Sequence, residues 1–126
     1  MSQVFISYKK TEIALAEEFK KRIEETGFQV WMDTKLHAGT EWRDAIDQEI
    51  RKSIAVVVIM TRDAKASEYV TYEWAYGWGK SIPIFPIMLK QTPLHPRLEL
   101  LQYLDFTNRI TRPWQKLIES INGLKK

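Results

Sequence analysis

Seven consecutive apolar residues, Ile54 to Met60 (IAVVVIM), constrain this chain more than any other stretch. A strand with one face in water alternates polar and apolar side chains. An unbroken, β-branched run instead suits a strand covered on both faces, as at the centre of a parallel sheet. Parallel strands cannot be joined by tight turns, so a helix is needed between each strand and the next.

The flanking sequence supplies those helices. Residues 3–8 (QVFISY) read as a first strand. Ile13, Ala16, Phe19 and Ile23 then stripe one face of a helix over residues 11–26, which Gly27 ends. Residues 28–32 form a second strand and 33–39 a polar loop. Thr40 is placed to cap a second helix with Trp42, Ile46 and Ile50 at four-residue intervals. Ser67 can cap a third helix running to about Trp78. Residues 82–88 make a fourth strand, whose Pro83 and Pro86 argue for an edge position or a break. Residues 103–106 form a short fifth strand, and Pro113 opens a final helix to about Ile121.

Strand and helix alternating in this way predict one α/β domain over residues 1–126. Its expected architecture is a flavodoxin-like, doubly wound, parallel five-stranded sheet in the order 2-1-3-4-5, flanked by helices. In that order the ligand crevice opens beyond the C-terminal ends of strands 1 and 3. Residues 8–10, 61–67 and the start of the third helix would surround it.

Composition removes many chemistries. Cysteine is absent among the 126 residues, which excludes disulfides, thiolate nucleophiles and cysteine metal sites. It also suits a reducing compartment, so a cytoplasmic location is expected. His37 and His95 lie too far apart in sequence to suggest a histidine metal pair. No apolar run reaches the roughly 18 residues that span a bilayer, and no membrane partner is expected. The net charge of +3 is too small to imply nucleic-acid binding. Charge is nonetheless uneven. Residues 1–50 hold 7 basic and 10 acidic side chains and residues 51–126 hold 12 and 6, a polarity compatible with head-to-tail self-association or with simple solvation. Gly79-Lys80-Ser81 imitates the end of a phosphate-binding loop, but position 74 is Trp and the tripeptide follows a helix instead of opening one. A metal-binding phospho-acceptor site would need acids after strand 1, where Ser7, Tyr8 and Lys9 stand.

The third helix carries the remaining signal. At about 100° per residue, Val70, Trp74, Gly77 and Trp78 share an apolar arc, Tyr69, Tyr72 and Tyr76 a neighbouring one, and Glu73 falls at the seam. Helix geometry alone reads Glu73 as a rim carboxylate paired with a nearby cation, and the tyrosines as packing residues with wet hydroxyls. The functional alternative has rings and carboxylate sharing the crevice, stacking a planar heterocycle and stabilising positive charge beside it.

Val4-Phe5-Ile6-Ser7-Tyr8, Gly27-Phe28-x-Val30-Trp31-x-Asp33, Gly39-x-x-Trp42, the Ile54–Met60 run, Ser67-x-Tyr69-x-x-x-Glu73 and Ile84-x-Pro86-Ile87 follow one another in an order and spacing that resembles a TIR (Toll/interleukin-1 receptor) domain over nearly the whole chain. The resemblance implies one of two functions. One branch of that family cleaves NAD at the nicotinamide–ribose bond with a glutamate in a W-x-x-x-E-like motif, which Glu73 matches, with Tyr69 standing where Trp is usual. On that reading NAD is substrate and no cofactor is required. Tyr8, Lys9, Asp33, Trp42 and Tyr69 would line the substrate pocket, with Lys9 near the diphosphate. The four-residue spacing of Trp42 with Ile46 and Ile50 favours core packing, with pocket lining across an assembled interface as the alternative. Lys35, Leu36, His37, Ala38 and Gly39 fall in the loop that mediates self-association in the family, so other TIR domains are the expected partners. The other branch is a non-enzymatic interaction module. A nucleoside glycosidase unrelated to TIR signalling is a third reading of the same topology.

Overall fold

A computed structural model of the protein describes residues 2–32, 41–62, 64, 68–90, 98, 101 and 103–124, with backbone alone for 41–43 and 68–69. Five strands, β1 (Gln3–Ser7), β2 (Gln29–Met32), β3 (Ser53–Met60), β4 (Ile84–Met88) and β5 (Leu104–Asp105), form one sheet in the order β2-β1-β3-β4-β5. Every pairing is parallel. Among the described residues, four α-helices, α1 (Ile13–Glu24), α2 (Glu41–Lys52), α3 (Glu68–Gly79) and α4 (Trp114–Asn122), cover it. The expected doubly wound α/β architecture is therefore the observed one.

The sheet divides the core into two layers, and strand parity decides which side chain joins which. Val4 and Ile6 of β1, Val57 and Ile59 of β3 and Ile87 of β4 pack with Phe19 and Ile23 of α1 and Leu117 and Ile121 of α4. Phe5, Val56, Val58, Met60 and Met88 face the other way, onto Ile46 and Ile50 of α2 and Val70 and Trp74 of α3. The apolar run of β3 is thus buried on both faces, as its composition requires. Gly77 lets α3 lie close to the sheet, because a Cβ there would meet Val56 Cγ2 at 3.1 Å and Ile84 Cδ1 at 3.2 Å.

One detail differs from expectation. Pro83 and Pro86 suggested an edge or a break, yet β4 lies inside the sheet between β3 and β5. The conflict is resolved by length. β5 is two residues long and pairs only with Ile87 and Met88, so Pro86 precedes the segment that β5 covers. The end of α3 is closed by two backbone hydrogen bonds. The Ser81 N–H donates to Trp78 O at 3.0 Å and the Ile82 N–H to Gly77 O at 3.0 Å, the paired bonds of a Schellman cap. The left-handed residue in that cap is Ser81, at φ 60°, and not a glycine. A non-glycine residue there carries a steric cost of roughly 1–2 kcal/mol. Ser81→Gly is therefore expected to stabilise the fold by about 1 kcal/mol, read as a raised urea midpoint at unchanged slope. An unchanged or lowered midpoint would contradict this account of the cap.

Candidate functional site

The alternation that builds the two layers also selects the polar group beneath α3. Ser7 is the last residue of β1 and shares the parity of Phe5, so its side chain is directed to the α2/α3 layer. It is fully buried. On α3, Glu73 directly precedes Trp74, whose ring fills the core below the helix at 2% exposure. With Trp74 anchored there, Glu73 is turned toward the C-terminal end of β1. Its exposure is 3%, and the Ser7 hydroxyl donates to Glu73 Oε1 at 2.7 Å. Glu73 is therefore no solvated rim carboxylate. It is an acid held inside the domain, at the end of the sheet where open α/β folds bind ligands.

That burial carries chemical meaning. An ionised carboxylate is costly to remove from water unless hydrogen bonds replace the lost hydration. Short hydroxyl-to-carboxylate bonds of this length are among the stronger replacements. At the neighbouring end of β3, Thr61 is also buried, and its Oγ1 accepts the Ala64 N–H at 3.1 Å. Thr61 and Ala64 thus lie close to the same end of the sheet, as the topology requires.

The other predicted site residues separate into three groups. Tyr8 follows Ser7, so parity sends it to the opposite layer, where it is 7% exposed among the residues packed against α1. It does not share a layer with Glu73. Lys9 is exposed two residues beyond Ser7, and its carbonyl accepts the Glu12 N–H at 2.8 Å, starting the 3-10 turn that leads into α1. It stands at the correct end of the sheet for an anionic ligand. Asp33, Lys35, Leu36, His37, Ala38 and Gly39 lie outside the described residues, as do the side chains of Trp42 in α2 and Tyr69 in α3.

The tyrosine platform inferred from helix geometry takes a different form. Tyr72 and Tyr76 stack on each other at 6.1 Å between ring centroids and 25° between planes. The Tyr72 hydroxyl donates to Asp47 Oδ1 at 2.7 Å, which ties α3 to α2, and Lys80 Nζ sits 5.7 Å from the Tyr76 ring. These rings serve helix–helix packing, and the hydroxyl is engaged by a carboxylate instead of by water. A shallow, open concavity lined by Glu17, Lys20, Lys21, Glu24, Glu25 and Met32 follows α1. It lies across the sheet from Glu73 and shares no residue with the Ser7–Glu73 pair.

Ser7 is the functional candidate that sequence reasoning passed over. The signal was present, since Ser7 ends an otherwise apolar run on the same parity as Phe5. Its partner lies 66 residues away, a separation that no local pattern reports.

Comparison with known proteins places this geometry in context. A family model described as TIR domain matches residues 4–120. A search of curated proteins returned no match. Among solved structures, the chain is similar to the TIR domain of the Toll-related receptor TRR-2 from Hydra magnipapillata, at a TM-score of 0.81 and 21% identity, covering 94% of this chain and 97% of that one. It is also similar to the TIR domains of the activated Roq1 resistosome, which directly recognises the pathogen effector XopQ (TM-score 0.65, 16% identity, 98% of each chain). A 2-desoxiribosyltransferase from Leishmania mexicana shares the fold more distantly, at a TM-score of 0.59 and 12% identity over 79% of this chain and 71% of that one.

Proposed function

The chain belongs to the TIR domain family, and from that premise we propose that it is an NAD nucleosidase of that family, cleaving the nicotinamide–ribose bond and activated by self-association in defence or cell-death signalling. The observation that carries the reading is the buried carboxylate of Glu73, held by Ser7 at the ligand-binding end of the sheet.

The reaction asks little of the protein. Nicotinamide in NAD is already cationic, so the bond between its ring nitrogen and the ribose C1′ breaks with both electrons going to the nitrogen. The base departs neutral and needs no general acid. Positive charge develops on the ribose carbon and ring oxygen, and a carboxylate fixed beside it stabilises that oxocarbenium-like state. Water then adds at C1′ and gives up one proton, with the carboxylate as its first acceptor. The products are nicotinamide, ADP-ribose and that proton. If a nucleophile of the same molecule replaces water, the product is a cyclic ADP-ribose. Lys9, exposed at the same end of the sheet, supplies a point charge for the diphosphate.

At 3% exposure the carboxylate is covered in the single chain, and a dinucleotide reaches it only when the residues over it move. This supports activation on assembly, with a TIR domain of another copy as the partner. The Roq1 TIR domains belong to an activated resistosome, a second line of support for assembly and for a defence setting. The same burial also suits the alternative reading, an interaction module in which Glu73 is a structural tie between α3 and β1.

The two readings are separated by incubating the domain with NAD at several protein concentrations and following nicotinamide by chromatography. Release that rises more steeply than first order in protein is expected. No release at any concentration, including from artificially clustered domain, leaves the interaction module as the function.

A further inference from the structure

We propose that Ser7 is a positioning residue for the Glu73 carboxylate, a role that rests on the glycosidic-cleavage reading above and adds to it. A glutamate side chain has three rotatable bonds, and the last of them is broad and nearly two-fold in its preference. The carboxylate plane is therefore only loosely set by the side chain's own torsions, and freezing such a side chain costs rotamer entropy. Bond breaking at C1′ needs the oxygens held steadily beside a carbon whose charge is transient, so this ordering is best complete before substrate arrives.

Ser7 accomplishes it from a rigid base. It ends a central strand paired on both sides, with β2 and with β3, and its backbone register is set opposite Val58. Its side chain is fully buried, and its hydroxyl donates to Oε1 at 2.7 Å, a well-formed hydroxyl hydrogen bond. The same bond replaces part of the hydration that burial removes. Strand β1 thus dictates where an oxygen on α3 sits, although Ser7 itself need not touch the ribose.

The test compares the parent with Ser7→Ala, Ser7→Thr and Glu73→Gln, each normalised to folded protein by circular dichroism. Ser7→Ala is expected to lower kcat about 10- to 100-fold with KM changed less than about twofold. Ser7→Thr keeps the hydroxyl and is expected to recover most of the loss. Adding Ser7→Ala to Glu73→Gln should leave the residual rate unchanged, because residues acting as a unit are not additive. An active parent whose Ser7→Ala variant keeps its kcat overturns the positioning role and leaves the NAD reading standing. A Ser7→Ala variant that is slower only in proportion to its lost folded fraction overturns it as well. A parent that is inert at every concentration removes the NAD reading and this role together.

Discussion

Glu73→Gln is expected to reduce NAD cleavage by about 10²- to 10⁴-fold while the domain stays folded. Glutamine keeps the length of the side chain and an oxygen able to accept the Ser7 hydroxyl proton, so the tie between α3 and β1 persists. What it lacks is the negative charge. An amide cannot offset the cationic character that forms on the ribose as nicotinamide leaves, and it is too weak a base to take a proton from the incoming water. Buried charges are costly, so a neutral side chain in the same place should lower stability little or not at all. The measurement pairs nicotinamide release with a thermal melt. Loss of turnover at a preserved melting temperature assigns the charge to the reaction. Turnover equal to that of the parent removes Glu73 from the mechanism.

Phe19→Ala should produce the largest loss of stability among single changes remote from the carboxylate. Phe19 is fully buried under α1, with its ring centroid 4.5 Å from Trp114 and 5.2 Å from Phe106. Phe106 and Trp114 meet edge to face at 5.0 Å, and the Arg22 guanidinium covers the outer face of Trp114 at 4.2 Å. This cluster joins α1, α4 and the end of β5, the sheet's shortest strand. Truncation removes the transfer energy of the ring and leaves a cavity, together about 3–5 kcal/mol. Domains of this kind are stable by roughly 5–15 kcal/mol, so about a fifth or more of the total is at stake. Urea unfolding followed by tryptophan fluorescence should show a much lower midpoint at an unchanged slope. A shift below about 1 kcal/mol would mean that the cluster collapses into the gap.

The fold was legible because its strongest signals are local. Ile54 to Met60 announces a doubly covered strand without reference to anything distant, and the stripe Ala16–Phe19–Ile23 announces the face that α1 buries. Fine detail was lost where a tertiary neighbour decides the outcome. Pro86 is tolerated inside the sheet because β5 is short, and that shortness is a property of another segment. Ser81 takes the left-handed position of the cap after α3, while Gly77, four residues earlier, serves close packing of the helix on the sheet. The site was legible in part. Glu73 was found, but its inward direction depends on Trp74 anchoring the helix, and its hydrogen-bond partner is set by strand parity. Tyr8, singled out by its nearness in sequence, is in the other layer for the same reason.

Strand β1 consequently acts as a counting device. Adjacent residues Ser7 and Tyr8 serve opposite sides of the sheet, so removing Phe5 while Val4 keeps its register would exchange a small hydroxyl for a phenol beneath the acid and send Ile6 to the wrong layer. Mean hydropathy would hardly change, yet both the packing and the reactive oxygen would be misaligned at once. Frame along a five-residue segment, more than the identity of any one apolar side chain in it, governs whether the acid meets its hydroxyl.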